Sequence, residues 1–547
     1  WTQVEGPKVT LSSSTAASPT FTAPSSATTI QFVVVVSDGT TSHADTVTIN
    51  VGASNSAPTI SSLSGDSLSY SEGDGAVVIE QGSNALVSDV DSTNFDTGTL
   101  TVSFTAGSDA AEDVLGIRNQ GTGAGQIGVS GANITYGGTT IGTFTGGSGG
   151  SNLVITLNSN ATPTAVTALI KNITYQDTDT SAPTTGARTV RYVLTDGDGG
   201  TSSNYDTTVT VSGVNDAPYM PGVMLDSGTE DTTKTFQVSW LTGFSSDVDA
   251  GAQRGLAIVG VDNSNGTWQY TLNGTDWIDI GAVSTSNALL LAADATSAFR
   301  FVPNPDWNGA TGLFTYKAWD QTSGTAGTYA DASISGGTTA FSGTSGSSLF
   351  VTAVNDAPVL VPQGLTYNTS EGAVPITSTV ATLIGSSVTD VDSGALSGVA
   401  IFGMTGSGGT LEYSLDGTTW LSAGALSSSN ALLLRSTDQM RFTPDSNNGG
   451  TIQVSFRAWD QTTGSAGSKV DVSVTGGSTA FSSASDVASC TIASANDAPV
   501  LADTALTLTV AEDAGAPSGP VGSPVSAFTG GVTDVDSGAS KGIAITG

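Results

Sequence analysis

The tetrapeptide Asn-Asp-Ala-Pro stands at 215–218, 355–358 and 496–499, at intervals of 140 and 141 residues. An altered copy, Asn55-Ser56-Ala57-Pro58, precedes them. A period of this size limits the fold more than any composition does, because the chain must be built from units that repeat one structure. Other markers keep step. "YKAWDQTSGTAG" at 316–327 returns as "FRAWDQTTGSAG" at 456–467, and "WQYTLNGTDW" at 268–277 returns as "LEYSLDGTTW" at 411–420. "SNALLL" occurs at 286–291 and 429–434, and "GLAIVG" at 255–260 corresponds to "GVAIFG" at 398–403 and "GIAITG" at 542–547. The last match falls early in a repeat, and the chain opens on "WTQVEGPKVT" without Met, so we read the sequence as an excerpt of a longer one. The expected organisation is a partial module over 1–54, modules over 55–216, 217–356 and 357–497, and a partial module over 498–547.

Within each unit the pattern is that of strands. "TFQVSW", "FRFVP" and "LFTYKAWD" alternate apolar and polar residues, and turns such as "LNGTD", "LDGTT" and "DGDGG" separate such runs. Short strands with frequent turns predict an all-β fold, a tandem array of antiparallel β-sandwiches joined end to end. "IQFVVVVSDG" at 30–39 predicts a buried strand and a turn. One stretch is different. In "ATPTAVTALIKNITY", 161–175, Thr162 can cap, Pro163 suits the first helical position, and Val166, Leu169 and Ile170 share a face, which predicts a short helix. Trp277, the trailing Trp of "WQYTLNGTDW", and Trp319 of "AWD" are expected in the core.

Charge narrows the function. The chain has 14 basic and 48 acidic residues, net −34, and only eight of the acids are Glu, leaving 40 Asp. Such a balance argues against nucleic acid or an anionic membrane as partner. The preference for the shorter carboxylate points to turns and to hard-cation sites, where the oxygen must stay near the backbone. His43 is the one histidine, expected exposed on the "SDGTTSHAD" turn, which removes most histidine-based catalysis and zinc chemistry. Cys490 is the one cysteine, so no internal disulfide exists, and "VASCTIAS" reads as a strand burying a small apolar thiol. No segment reaches the ~18 apolar residues of a membrane-spanning helix, so no membrane insertion is expected in this segment.

The chemistry sits in two motifs. In Asn-Asp-Ala-Pro, Pro holds the preceding residue extended, as a linker between sandwiches requires, and Asn and Asp offer an amide oxygen and a carboxylate. An Asp-Val-Asp follows each linker Asn by 32, 35 and 38 residues, at Asp247/Asp249, Asp390/Asp392 and Asp534/Asp536. Another copy stands at Asp89/Asp91. A calcium ion takes roughly six to eight oxygens, more than one short loop supplies, and a junction between domains can gather them.

These motifs, with a late Asp in "AWDQTSG" or "LTDGDGG", resemble the bacterial cadherin-like repeats of large surface adhesins over about 55–547. The stretch 1–54 is similar to the later part of a PKD- or Ig-like domain. The resemblance implies calcium between successive domains, held by an early Glu of the upstream domain, the linker Asn-Asp, and the Asp-x-Asp and late Asp of the downstream one. It places Glu72, Asn215, Asp216, Asp247, Asp249 and Asp320 at the junction near 216. Glu230, Asn355, Asp356, Asp390, Asp392 and Asp460 fall at that near 356, and Glu371, Asn496, Asp497, Asp534 and Asp536 at that near 497. The first linker lacks its carboxylate but keeps Asp89, Asp91 and Asp196, so fewer ions, or none, are expected there. No clear copy of the family's mid-domain Asp-x-Glu is present. "TDGDGG" at 195–200 reads either as a local ion loop or as a hairpin turn.

The expected function is non-enzymatic: a calcium-rigidified stalk of an extracellular bacterial surface adhesin. Its partners would be calcium and, beyond that, neighbouring copies of itself or cell-surface glycans. The alternatives are a self-assembling filament, sheath or S-layer component, and the accessory region of a carbohydrate-active exoenzyme. Paired carboxylates do hydrolyse glycosides. Here, however, the pairs recur at every boundary in a cation-site pattern.

Overall fold

The computed structural model describes residues 1–52, 54–502, 516, 518 and 523–547. Much of the last expected partial module, 503–515, 517 and 519–522, therefore lies outside the described residues. Strands take 41% of the chain and helices 4%, so the protein is all-β, built of largely antiparallel sheets. Separate buried apolar clusters run from Ile60 to Val211, from Met220 to Val351 and from Leu360 to Ala458.

The first stretch forms one antiparallel sheet of Thr2–Glu5, Thr28–Ser37 and Ser42–Val51. Two expectations are corrected here. Ile30 and Phe32 are buried, but Val35 and Val36 are 58% and 67% exposed, because no second sheet of the described residues covers that end of the strand. His43 is exposed, as expected, yet it lies in the third strand opposite Val36 and not in the turn. The turn itself is short, closed by Asp38 Oδ1, which accepts from the Thr40 and Thr41 N–H groups.

In 55–216 an eight-stranded sheet packs with a three-stranded one made of Val77–Val78, Ile173–Asp177 and Asp113–Ile117. The helix Pro163–Ile170 forms as expected: Thr162 accepts from the Ala165 N–H, Pro163 begins the helix, and Val166, Leu169 and Ile170 are buried.

The two following repeats share one design. Strands Lys234–Gln237 and Ile376–Thr379 pass directly into helical turns, Val238–Thr242 and Val380–Ile384. "TFQVSW" is thus strand only as far as Gln237, and Val238 and Leu241, three apart, turn one helical face to the core. Strands Gly255–Gly260 and Ala288–Ala292 are buried on both faces, which explains their unbroken apolar runs. A long connection after Trp319 supplies the outer cover: Ala332, Ala340 and Phe341 pack with Trp319, Val259 and Leu290, and Val472, Ala480 and Phe481 repeat this around Trp459. Trp319 is a core residue as expected. Trp277 is not, since it lies half-buried just after a turn with the Arg300 guanidinium 4.0 Å above its ring, while Trp268 fills the core instead.

The sandwiches are not wholly antiparallel. Ser67–Ser71 pairs parallel with Tyr205–Ser212, Gly228–Thr229 with Phe350–Thr352, and Thr366–Ser370 with Asp486–Ala493. Each parallel pair carries an early strand and the last strand of a unit in the same direction. The residues following both therefore emerge side by side, where the linker begins.

Candidate metal centre at the module junctions

The parallel pairs position the early glutamates. Glu72 accepts from the Val214 N–H at 2.9 Å, Glu230 from Val354 at 2.5 Å and Glu371 from Ala495 at 2.6 Å, each two residues before the linker Asp. Glu230 is 1% exposed, and its second oxygen accepts from Asn308 Nδ2 at 2.9 Å.

The Asp-x-Asp motifs act in relay. Asp247 Oδ1 accepts from the Asp249 N–H at 3.0 Å, and Asp249 Oδ2 accepts from the linker Asp216 N–H at 2.8 Å. The same two bonds join Asp390 to Asp392 and Asp392 to Asp356, both at 2.9 Å. They join Asp534 to Asp536 at 2.9 Å and Asp536 to Asp497 at 2.8 Å. They also occur at the first linker, from Asp89 to Asp91 at 3.2 Å and from Asp91 to the Ser56 N–H at 2.9 Å. Thus the linker without its carboxylate keeps the backbone geometry of the others.

The late aspartates close the arrangement. Asp320 and Asp460, 2% and 3% exposed, accept from Asn215 and Asn355 Nδ2 at 3.0 and 2.9 Å. Asp196 accepts likewise from Asn55 at 2.9 Å. Its other oxygen accepts from the Asp198 and Gly200 N–H groups, so "TDGDGG" is a hairpin turn. Gly200 is required there, because a Cβ would collide with the Asp196 carboxylate. Asn496 donates to the Asp497 carbonyl at 3.0 Å, and no late Asp follows it in this sequence.

What remains is a set of carboxylate oxygens with no donor. Among the described residues, seven of the twelve buried, unpartnered side-chain polar atoms belong to these junctions: Oδ2 of Asp89, Asp216, Asp247, Asp356, Asp390 and Asp497, and Oε2 of Glu371. A buried acceptor without a partner costs about 1–3 kcal/mol, more when charged. Among the described residues none of the ion pairs reaches a junction carboxylate. Burial raises the carboxyls of Asp247 and Asp390, and neighbouring carboxylates add to it, Asp249, Asp320 and Asp216 in one case and Asp392 and Asp460 in the other. Asp356 and Asp89 are raised for the same first reason.

Carboxylate oxygens converge within 4.8 Å of one another in Glu230/Asp356/Asp392 and in Glu371/Asp497/Asp536. Glu72, Asp216 and Asp249 do not form such a group among the described residues; Glu72, Asn215, Asp249 and Asp320 line an open cleft instead. A further group, Asp231/Asp306/Asp356, escaped the sequence reading. Asp231 follows Glu230, and Asp306 lies in "NPDWNG" beside the Asn308 that binds Glu230. Both have positive φ, 59° and 57°, unusual for residues other than Gly and visible only once the chain is folded.

The donor set is all oxygen, anionic and short of protons, which suits a hard divalent cation and not a softer metal. No family model matches the chain, and no curated protein matches it. Among solved structures, the cadherin-like domains 1 to 4 of zebrafish RET are 10% identical over 88% of this chain and 85% of theirs, with a TM-score of 0.19. The EC1-3 domains of Drosophila N-cadherin are 11% identical over 79% of this chain and 98% of theirs, TM-score 0.16. An endo-fucoidan hydrolase of glycoside hydrolase family 107 is 14% identical over 69% of this chain, which spans 43% of that enzyme, TM-score 0.14.

Proposed function

We propose that this chain is a calcium-locked spacer of an extracellular bacterial surface adhesin and performs no catalysis. The observation that carries the reading is the recurrence of unpartnered, buried carboxylate oxygens on the linker Asp and the first Asp of Asp-x-Asp at successive junctions. Asp216 with Asp247 and Asp356 with Asp390 are the complete pairs. Two like charges about 4 Å apart repel by roughly 4 kcal/mol at an effective dielectric of 20, and a cation between them reverses the sign. Calcium would be held by Glu230, Asp356, Asp390, Asp392 and Asp460 at one junction, by Glu72, Asp216, Asp247, Asp249 and Asp320 at that near 216, and by Glu371, Asp497, Asp534 and Asp536 at that near 497. It would supply positive charge there and no reaction.

Each such ion joins the upstream glutamate, the linker and the downstream Asp-x-Asp, so relative motion of adjacent units breaks its coordination. Binding to the ordered state alone also stabilises that state, a role disulfides cannot fill in a chain with one cysteine. The test is small-angle X-ray scattering of the full chain with calcium and with chelator. Calcium should lengthen and stiffen the particle, and Asp247→Ala/Asp390→Ala should lose much of the change. An unchanged profile would remove the calcium reading and leave a proline linker with solvated turns.

A further inference from the structure

Repeats 217–356 and 357–497 share strand register but not core filling. Across one sheet Phe236 faces Phe299 and Trp268 faces Phe301; the same positions of the next repeat pair Ser378 with Met440 and Leu411 with Phe442. On the opposing sheet, Phe314 faces Ser347, and its counterpart Val454 faces Ala488. In the earlier repeat four rings form a continuous row, with centroids 5.4 Å apart for the stacked pair Phe236–Phe299, 4.8 Å for the stacked pair Phe299–Phe314 and 4.7 Å for the tilted pair Phe314–Trp268. None of the four has an aromatic counterpart in the later repeat.

Taking rings out of a packed interior leaves a void unless the backbone closes on it. The ladders hold the two sheets in the same register in both repeats, and closure is incomplete. An apolar cavity of about 80 Å³ lies between the sheets, lined by Ser378, Leu411, Met440, Val454 and Cys490 among others. It reaches the surface at Tyr367 and Ile376, both half-buried.

We propose that this cavity is a binding site for one aromatic ring carried by a small free solute, such as a phenol or an indole. The sister repeat shows what the space accepts, since its own rings occupy the equivalent positions. The walls retain Phe442, for ring packing, and the Met440 sulfur, which favours aromatic edges. An apolar engineered cavity of about 150 Å³ stays dry and takes up benzene. This one is smaller but open on one side, so a substituent can remain in solvent. The site owes nothing to the ions at the junctions, and its failure would leave the calcium reading untouched.

The methionines test it. The chain has four: Met440 lines the cavity, Met404 packs nearby, Met220 is buried in the filled sister core and Met224 is 89% exposed. In full-length protein carrying ¹³C-methyl methionine, titrated indole should shift the Met440 signal saturably and leave Met220 and Met224 in place. Ser378→Phe/Leu411→Trp, which restores two of the sister's rings, should weaken binding at least tenfold. Should that variant misfold, the unaltered protein offers a second reading, because bound indole should slow maleimide labelling of Cys490 several-fold. A Met440 shift that does not saturate, one matched by Met220, equal binding by the refilled variant, or unprotected Cys490 would each overturn the proposal.

Discussion

Asn215 donates its Nδ2 to Asp320 Oδ2 at 3.0 Å across 105 residues of chain, and Asn355 repeats the bond to Asp460 at 2.9 Å. The linker is thereby tied to the far end of the strand that carries the buried Trp319 or Trp459. The same amides also donate to the Thr339 and Thr479 carbonyls of the long connection, each at 3.3 Å. Asn355→Ala should leave the nearly buried Asp460 short of a donor. We expect a loss of about 1–3 kcal/mol in chelator, read by denaturant unfolding, and weaker calcium binding by calorimetry.

The junction at 356 should hold more calcium than that at 497. Asp231 and Asp306 stand beside Asp356, whereas in the next repeat Gly372 follows Glu371 and "PNPDWNGA" at 303–310 is shortened to "PDSNNGG" at 444–450. Asp306→Asn should lower the bound calcium by about one ion per chain while sparing the other sites. Equal stoichiometry in the variant would show that the Asp231/Asp306/Asp356 group takes no ion.

Gln321 and Gln461, each directly after a late Asp, have φ of 68° and 71°. Their side chains donate to the Arg254 and Ser397 carbonyls at 2.6 and 2.8 Å, which holds the backbone in this unfavourable region and aims the neighbouring carboxylate. Gln321→Ala keeps the strain and loses the bond, so it should destabilise by about 1 kcal/mol. Gln321→Gly removes the strain as well and should recover most of that loss in thermal unfolding.

Arg188, 1% exposed, sits among Asp113, Glu112 and Asp177, so one buried guanidinium serves three carboxyls. Burial raises the Asp177 carboxyl, and the charges of Glu112 and Asp113 raise it further against the pull of Arg188. A raised folded-state value means that protonation favours the folded form. The contribution is complete below the unfolded Asp range, near pH 4, and is lost as pH rises through the folded value. Asp177→Asn should therefore raise the melting temperature of this unit at pH 7. The advantage should shrink towards pH 4, measured by calorimetry at both values.

The strand-rich units and the capped helix at Pro163 were legible because their causes are local: period-two alternation, turn residues, a hydroxyl and a proline at the right offsets. The Asp-x-Asp relay was legible as a motif, since the side chain of one Asp reaches the backbone two residues on. Other features had no such signal. "TFQVSW" alternates like a strand, yet Val238 and Leu241 fit the core only if the chain turns helical after Gln237. Trp268 and Trp277 look equivalent in sequence, and their different burial follows from where the turn falls. Asp231 and Asp306 lie 75 residues apart, and only the folded chain brings the Asp306 N–H to Asp231 Oδ1 at 3.3 Å, with Asp356 beside them.

By itself, then, the sequence determined the repeat, the all-β class, the acidic oxygen chemistry and a set of candidate junction residues that lacked Asp231 and Asp306, because periodicity, side-chain type and spacing are properties of the chain. Tertiary structure decided which oxygens stay unpartnered, which glutamate meets which linker, and which of two sister cores is left unfilled. Those outcomes depend on parallel strand pairing and on packing across about a hundred residues, where each position is set by neighbours that the local sequence does not contain.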